Sequence, residues 1–150
     1  MFRHPLHGLA GAIVFGAVFS STWSTALMSQ QAQPTPSVRA NPLLTMSPLP
    51  FEAPPFDRIQ DADFEPAFDA GIARQLEEIA AIAGDPAAPS FENTLVALEK
   101  SGQLLRRVGL VFNGLASANT NPALQKVQQD VAPKLAAQED AIFLNPALFK

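Results

Sequence analysis

The sequence predicts an all-α protein in which antiparallel helical segments follow a signal peptide and a proline-rich extended arm. Apolar residues recur every three or four positions from Asp57 onward, which is the spacing of one helix face. No segment shows sustained alternation with β-branched residues, so no sheet is expected. Prolines are frequent in residues 30–56, where they forbid a continuous helix.

The composition excludes several classes of protein. The chain has 150 residues, enough for one modest domain, and a formal net charge of −4. No cluster of lysine and arginine is longer than Arg106–Arg107, so a nucleic-acid partner is not expected. Cysteine is absent, which excludes disulfides and thiolate metal ligands. The two histidines, His4 and His7, both lie in the leader.

Residues 1–29 are typical of a secretory signal peptide. Arg3 gives a positive start, Gly8–Phe19 is an apolar stretch, and Ser24-Thr25-Ala26 offers a cleavage site there or a few residues later. The alternative is a retained anchor, because Gly8–Met28 carries no charge and approaches the roughly 20 residues of a membrane helix. Serines and threonines dilute its second half and no positive cluster follows. We therefore expect cleavage, no stable membrane span, and export to the periplasm.

Residues 30–56 are predicted to be a proline-rich linker that continues into an extended arm. The first part has the composition of a flexible linker. The second part, Asn41–Phe56, differs because large apolar side chains punctuate it: Leu43, Leu44, Met46, Leu49, Phe51 and Phe56. A wholly disordered linker has little use for such side chains. We therefore expect this arm to pack across another part of the protein.

Residues 57–150 are predicted to form the helical region. Asp61 and Asp63 are candidate N-caps of its first helix, and Pro66 is tolerated in a first turn. One face of this helix carries Phe64, Phe68, Ile72, Leu76, Ile79 and Ala83. Gly84-Asp85-Pro86 ends it. The spacing of these apolar residues indicates a helix that packs one side into a core.

Two more helices are predicted on either side of Gly102, which suits the position after a helix end. Ser90 begins the first of them, and its apolar stripe consists of Phe91, Leu95 and Leu98. The next helix runs from about Gln103 to Ala118. Its stripe consists of Leu104, Val108, Val111, Phe112 and Leu115. We expect both stripes to be core.

A fourth helix is predicted to begin at Pro122, after a turn at Asn119-Thr120-Asn121. Its stripe consists of Leu124, Val127, Val131, Leu135, Gln138 and Ile142. Pro133 interrupts it, because the proline ring clashes with the carbonyl of Gln129. We expect a kink there or a fresh helix beginning there. Asn145-Pro146 ends this element.

The last residues, from Asn145 to Lys150, have the pattern of another helix beginning. Pro146 suits a first helical turn, and Leu148 and Phe149 start an apolar face. A helix this short is not self-sustaining. We therefore expect Lys150 to be an artificial end and the helical region to be an incomplete domain.

Acidic and basic side chains offer few candidate sites. The acidic groups are Glu77–Glu78, Glu139–Asp140, and the set Asp57, Asp61 and Asp63. Neighbouring residues on a helix point about 100° apart, so the two pairs are expected on solvated faces rather than around one ion. The aspartates fit helix capping better than a calcium loop. Arg106–Arg107 is either an anion site or, as we expect, a solvated pair.

The sequence lacks the residue types that usually catalyse hydrolysis. After the leader there is no histidine to ligate zinc or to act as the base of a nucleophilic triad. The His-Glu-x-x-His motif and a glycine-rich phosphate loop are also absent. The sequence therefore predicts no catalytic residue, no cofactor-binding residue and no metal ligand in this chain.

Several motifs are shared with one family of enzymes. They are Asn41-Pro42-Leu43-Leu44, Pro54–Asp57, Asp61–Phe68, Phe91-Glu92-Asn93-Thr94, Ala118–Pro122 and Val131–Ala137. Over residues 41–150 the chain resembles the N-terminal region of the bacterial peptidyl-dipeptidases, also called dipeptidyl carboxypeptidases. These enzymes form a branch of the thimet oligopeptidase and neurolysin family of zinc metallopeptidases.

The resemblance implies a large helical enzyme whose deep cleft admits short peptides and which releases C-terminal dipeptides from them. Its zinc lies in the C-terminal half on a His-Glu-x-x-His helix, and those positions have no match in this chain. We therefore expect an N-terminal fragment that is inactive alone and whose partner is the missing C-terminal catalytic region. The alternative is a stand-alone periplasmic helical module for binding or scaffolding.

Overall fold

The computed structural model describes residues 39–149. The predicted signal peptide and the start of the predicted linker lie outside the described residues. Within the described range there are helices and no strand, which confirms the all-α prediction. The α-helices are α1 (Phe64–Ala83), α2 (Ala97–Lys100), α3 (Gln103–Asn119) and α4 (Pro122–Phe143). A π-helical segment, Phe91–Val96, leads directly into α2, and 3-10 turns cover Pro50–Glu52 and Asp61–Asp63.

The contact between α1 and α3 depends on a glycine. A Cβ atom at Gly71 would lie 2.9 Å from the Leu105 Cα, so the bare glycine lets the two backbones approach. Further along α1, the side chain of Gln75 lies against Gly102, which precedes α3. Because later residues of α1 meet earlier residues of α3, the two helices are antiparallel.

α4 also packs on α1, but it runs in the opposite direction to α3. The Asn121 side chain donates to Asp61 Oδ2 at 2.9 Å, and the Gln138 side chain donates to Gln75 Oε1 at 3.1 Å. Residue numbers therefore increase in the same direction along the two helices, so α4 is parallel to α1. It follows that α3 and α4 are antiparallel to one another, as their short connection predicts.

The core lies at the N-terminal half of α1. Its buried side chains are Leu43, Phe64, Ala67, Phe68, Val108, Val111, Phe112, Leu124, Val127 and Val131. The Phe112 ring stands edge-on to Phe64 and Phe68, with ring centroids 5.1 and 5.4 Å apart. Such pairs add specificity to the burial of aromatic surface. The predicted core stripes of α1, α3 and α4 are confirmed in this half of the molecule.

The start of α4 is determined by the residues that the sequence singles out. The Asn121 side chain accepts a hydrogen bond from the Leu124 N–H at 2.9 Å, and Pro122 is the first helical residue. An N-cap of this kind satisfies one of the donors that a helix leaves unpaired at its start. The predicted turn and the predicted first residue of this helix are confirmed.

Pro133 does not divide the fourth helix. α4 runs from Pro122 to Phe143 without a break, so the expectation of a fresh helix at Pro133 is wrong. Both Pro133 and Gln129, whose carbonyl loses its intrahelical partner, lie at exposed positions. Water can satisfy that carbonyl, which explains why the helix continues.

The predicted core stripe of the second helix is also wrong in part. Leu98 is half-buried, but Phe91 and Leu95 are exposed. The segment is short and only its last four residues, Ala97–Lys100, are α-helical. The apolar period correctly indicates a helix, but no described part of the chain covers this face.

Residues 39–60 run outside the long helices and contact them at a few points. The prediction that this arm packs across the protein holds for Leu43 but is wrong for its other large apolar side chains, which are exposed: Leu44, Met46, Leu49, Phe51 and Phe56. The Arg39 side chain binds Asp63, the Asn41 side chain donates to the Asp63 carbonyl at 2.7 Å, and Leu43 is buried in the core. The Arg107 guanidinium donates to the Leu43 carbonyl at 3.1 Å. These bonds hold the start of the segment on α1 and α3.

After α4 the described chain ends in a turn. The Leu148 N–H donates to the Asn145 carbonyl at 3.2 Å, and the Ala147 N–H donates to the Asn145 side chain at 3.0 Å. Asn145 therefore organises a turn of the kind that starts helices. No helix is formed between Pro146 and Phe149.

Candidate functional site

The acidic residues singled out by the sequence do not converge on a metal site. Asp63 is buried and accepts hydrogen bonds from Arg39 at 2.5 Å and from the Gln60 N–H at 2.8 Å. Asp61 binds Asn121, and Asp57 is exposed. Across residues 39–149 no group of three or more histidine, cysteine, aspartate and glutamate side chains could hold a metal ion.

Glu78 has a structural role that the sequence does not reveal. Its carboxylate accepts from the Gly102 N–H at 2.8 Å and from the Arg74 guanidinium at 3.2 Å. Gly102 has a φ of 70°, which glycine adopts without strain, and stands directly before α3. A carboxylate at this position complements the positive end of α3. The interpretation of Glu77–Glu78 as a solvated pair is therefore wrong for Glu78.

Arg106 and Arg107 form different contacts. Arg106 is exposed and donates to the Glu99 carbonyl at 3.3 Å. Arg107 is half-buried and holds the Leu43 carbonyl. Neither arrangement resembles an anion site, and the expectation of a solvated pair holds only for Arg106.

Lys134 on α4 links that helix to α1 through two carboxylates. Its ammonium donates to Asp69 at 2.7 Å and to Glu65 at 3.1 Å. These two hydrogen bonds, of which the bond to Asp69 has the larger effect, raise the pKa of Lys134 above its ordinary value. The contact reinforces the same half of the molecule that contains the core.

We call this half the closed end; it comprises the N-terminal half of α1, the C-terminal half of α3, the start of α4 and residues 39–43. Both its apolar and its polar groups have partners. Phe64 is fully buried, Asp63 is paired with Arg39, and Asp61 is paired with Asn121. Two clefts nevertheless open at this end, one along residues 39–48 and one between α3 and α4 beside Phe112 and Val131.

We call the opposite surface the apolar end, and define it by five exposed side chains. Their exposed fractions are 68% for Phe91, 52% for Leu95, 60% for Phe143, 76% for Leu144 and 69% for Phe149. Only Ile79 and Ile142 are buried nearby on α1 and α4, and both lie outside the main core cluster. A group of exposed large apolar side chains marks an interaction surface more often than an ordinary solvated one.

Two clefts bring the parts of the apolar end together. One cleft is lined by Leu98 and Glu99 on one side and by Phe143 on the other. A smaller cleft of about 100 Å³ joins Asn93 and Thr94 to the C-terminal turn at Leu148. The π-helical segment with α2 and the end of α4 are therefore neighbours in space.

Asn93 fixes the shape of the π-helical segment. Its side chain accepts from the Ser90 N–H at 2.7 Å and from the Thr94 hydroxyl at 3.0 Å, and donates to the Ala88 carbonyl at 3.0 Å. Its own N–H donates to the Ser90 hydroxyl at 3.1 Å. The segment that presents Phe91 and Leu95 is thus held by its own hydrogen bonds.

The residues that the sequence could have identified here are those of the Phe91–Thr94 motif. Asn93 satisfies the local groups, whereas Phe91 carries no local function. Phe91 is therefore a large aromatic side chain that an organised turn leaves exposed to solvent.

The structure therefore defines a class of protein: a helical module with a closed end, an exposed apolar end and, within residues 39–149, no group of histidine, cysteine, aspartate and glutamate side chains that could hold a metal ion. No family model matches the sequence. Individual relatives do, and they are peptidases.

The chain is similar to dipeptidyl carboxypeptidase. It is 51% identical to the Salmonella typhimurium enzyme and 46% identical to the Escherichia coli enzyme, in each case over 109 residues and 73% of this chain. The resemblance indicated by the sequence motifs is confirmed. The match spans only 16% of the length of each of these relatives.

Among the helices between residues 39 and 149, none is both long enough and apolar enough to cross a membrane.

Proposed function

We propose that this chain supplies the N-terminal helical part of an exported zinc peptidase that releases dipeptides from the C-terminus of short peptides. The observation that carries the proposal is the 51% identity over 109 residues to an enzyme named dipeptidyl carboxypeptidase. Because the match covers 16% of that enzyme, the rest of such a peptidase has no counterpart in this sequence. The chain's own contribution is structural.

The zinc of this proposed enzyme does not fit the residues described between 39 and 149. Structural and catalytic zinc sites need three or four nitrogen, sulfur or carboxylate ligands that converge on one ion. Neither histidine nor cysteine occurs after the leader, and no acidic cluster replaces them. In this proposal the metal and the residues that activate water belong to the part of the peptidase outside the match.

A chimera tests the proposed function. The 109-residue matched stretch of the Salmonella enzyme is replaced by the corresponding residues of this chain, and release of C-terminal dipeptides from a short synthetic peptide is followed by mass spectrometry. We expect a chimera with dipeptide release within about tenfold of the parent enzyme, because interchangeable helical packing preserves the rest of the protein. A soluble chimera without activity would contradict the proposal.

Export is a second part of the proposal. It is supported by Arg3, the apolar stretch Gly8–Phe19 and the small residues Ser24-Thr25-Ala26, which occur in the order that a signal peptide requires. Expression of the full chain in a Gram-negative host, cell fractionation and N-terminal sequencing test it. We expect periplasmic protein that begins near Leu27. Protein that retains Met1 in the cytoplasm would contradict export.

The uncovered apolar end also favours a second candidate function, a stand-alone periplasmic module that binds another protein. Phe91 and Phe149 are as exposed as side chains that anchor protein interfaces. An active chimera favours the peptidase, whereas an inactive chimera together with a stable 1:1 complex between the full chain and an identified periplasmic protein favours the module.

A further inference from the structure

The apolar end carries more exposed apolar surface than the rest of the helical region. Outside it, residues 57–149 expose one further large apolar side chain, Leu110, in the middle of α3. Single exposed leucines are ordinary in soluble proteins, whereas three exposed phenylalanines on segments that lie side by side are not. Phe91, Phe143 and Phe149 are such a set.

The π-helical segment has a shape that its own hydrogen bonds define. Ser90 and Asn93 exchange two hydrogen bonds between side chains and backbone, so the turn that carries Phe91 and Leu95 is already formed. π-Helical turns occur frequently at functional sites. A surface that is already ordered loses less entropy on association. The segment therefore holds Phe91 and Leu95 at the surface in a defined position.

Charged residues around the apolar end describe the partner's rim. Four exposed acidic residues flank it, namely Glu92, Glu99, Glu139 and Asp140, and none of them forms an ion pair with another described residue. Two exposed basic residues, Lys100 and Arg106, lie there as well, and Arg106 lines the same cleft as Phe143. A complementary surface has an apolar centre and charged side chains of both signs at its edge, because opposite charges match across an interface.

We propose that the apolar end is the docking surface for the remaining polypeptide of the peptidase, with Phe91 and Leu95 as its central anchors. This inference rests on the proposed function. Its occupant is an apolar helical face with charged side chains of both signs at its rim, provided by the part of the enzyme outside the matched stretch. The relatives contain more than enough chain for this, since 84% of their length lies beyond a match that covers 16%.

The experiment substitutes aspartate for the anchors in the active chimera. Phe91→Asp and Leu95→Asp place a charge in the centre of the interface, and Leu110→Asp places the same charge at an equally exposed position outside it. We expect the first two variants to lower the melting temperature of the chimera by several degrees and its dipeptide release by tenfold or more. Leu110→Asp is expected to behave like the unsubstituted chimera.

The same substitutions in the full chain alone separate docking from folding. Because Phe91 and Leu95 are exposed near a helix start, where a carboxylate is favourable, we expect circular dichroism and melting temperature to remain unchanged. The aligned positions of the Salmonella enzyme give a second test that does not depend on the chimera.

Each outcome decides one proposal. An inactive unsubstituted chimera removes the proposed function, whereas an active chimera in which Phe91→Asp matches Leu110→Asp removes only the docking surface. If the full chain sediments as a dimer that Phe91→Asp dissociates, while the chimera variants keep full activity, the surface joins two copies of this chain and the docking inference is wrong.

Discussion

The closed end and the apolar end of this molecule are built from the same central helix but differ in what covers them. At the closed end, Phe64 and Phe68 of α1 are buried beside Phe112, and Asp63 is paired with Arg39. At the apolar end, Phe91 and Phe149 face solvent although the turns that carry them are ordered. One half of the helical region therefore buries its large apolar side chains within this chain, whereas the other half leaves them exposed.

The two ends also differ in their polar groups. At the closed end Asp61, Asp63 and Lys134 form hydrogen bonds or ion pairs with other parts of the chain. The apolar end has exposed carbon surface and few directed polar groups. Such a surface can stabilise a larger protein through packing, since burial contributes roughly 25 cal/mol per Å².

The largest expected effect is the loss of an aromatic side chain at the closed end. Phe112→Ala removes the ring that Phe64 and Phe68 contact and leaves a cavity, so we expect the free energy of unfolding of the full chain to fall by about 3–5 kcal/mol. Phe91→Ala is the control, and its change should stay within about 0.5 kcal/mol. Urea denaturation measures both. Equal losses would show that the two ends do not differ.

A smaller effect is expected at the crossing of α1 and α3. Gly71→Ala forces a methyl group toward the Leu105 backbone, and we expect a loss of about 1–3 kcal/mol. Gly114→Ala, where no atom lies within 4 Å of an added Cβ, should stabilise the protein by up to about 1 kcal/mol through helix propensity. Thermal unfolding of both variants checks this. A neutral Gly71→Ala variant would mean that α1 and α3 pack less closely.

Loss of the Asp63 carboxylate should destabilise the closed end further. Asp63→Ala removes the acceptor of the Arg39 and Gln60 hydrogen bonds, and we expect a loss of about 1–2 kcal/mol in the free energy of unfolding. The exposed Asp57 provides the matched control, with a change within about 0.5 kcal/mol for Asp57→Ala. Similar denaturation midpoints for the two variants would exclude a stabilising role for this ion pair.

The smallest effect concerns pH. Hydrogen bonds to Asp69 and Glu65 raise the pKa of Lys134, so its stabilising contribution is complete below the usual lysine pKa of 10.5 and is lost as the pH rises through the raised value. The melting temperature of the wild-type chain should exceed that of Lys134→Gln at neutral pH. The difference should shrink in strongly alkaline buffer. Lys100→Gln, at an exposed lysine without an ion pair to another described residue, should show no such dependence.

The sequence predicts much of the fold because the apolar period records which face of a helix is buried. It places α1, α3 and α4 and identifies Asn121 and Pro122 at the start of α4. It does not reveal the partners of Glu78 and Arg107, because those hydrogen bonds join residues far apart in the chain. Local sequence contains no direct record of such distances.

The predictions that differ from the structure also have physical explanations. The expected kink or fresh helix at Pro133 rests on the clash between the proline ring and the Gln129 carbonyl, and α4 nevertheless continues through this exposed position without a new helix beginning. The stripe of Phe91 and Leu95 predicts burial, and the period cannot tell whether the covering surface lies in the same chain or elsewhere. For that reason the candidate interface becomes visible only when exposure is known.

Hydrogen exchange of the full chain and of the chimera tests the contrast between the two ends most directly. In the full chain we expect amides of the N-terminal half of α1 and of α3 near Phe112 to exchange more slowly than those of Ala97–Lys100 and of the last turn of α4. In the chimera the second group should become as protected as the first. Equal protection of both ends in the full chain, or no gain of protection in the chimera, would contradict the account.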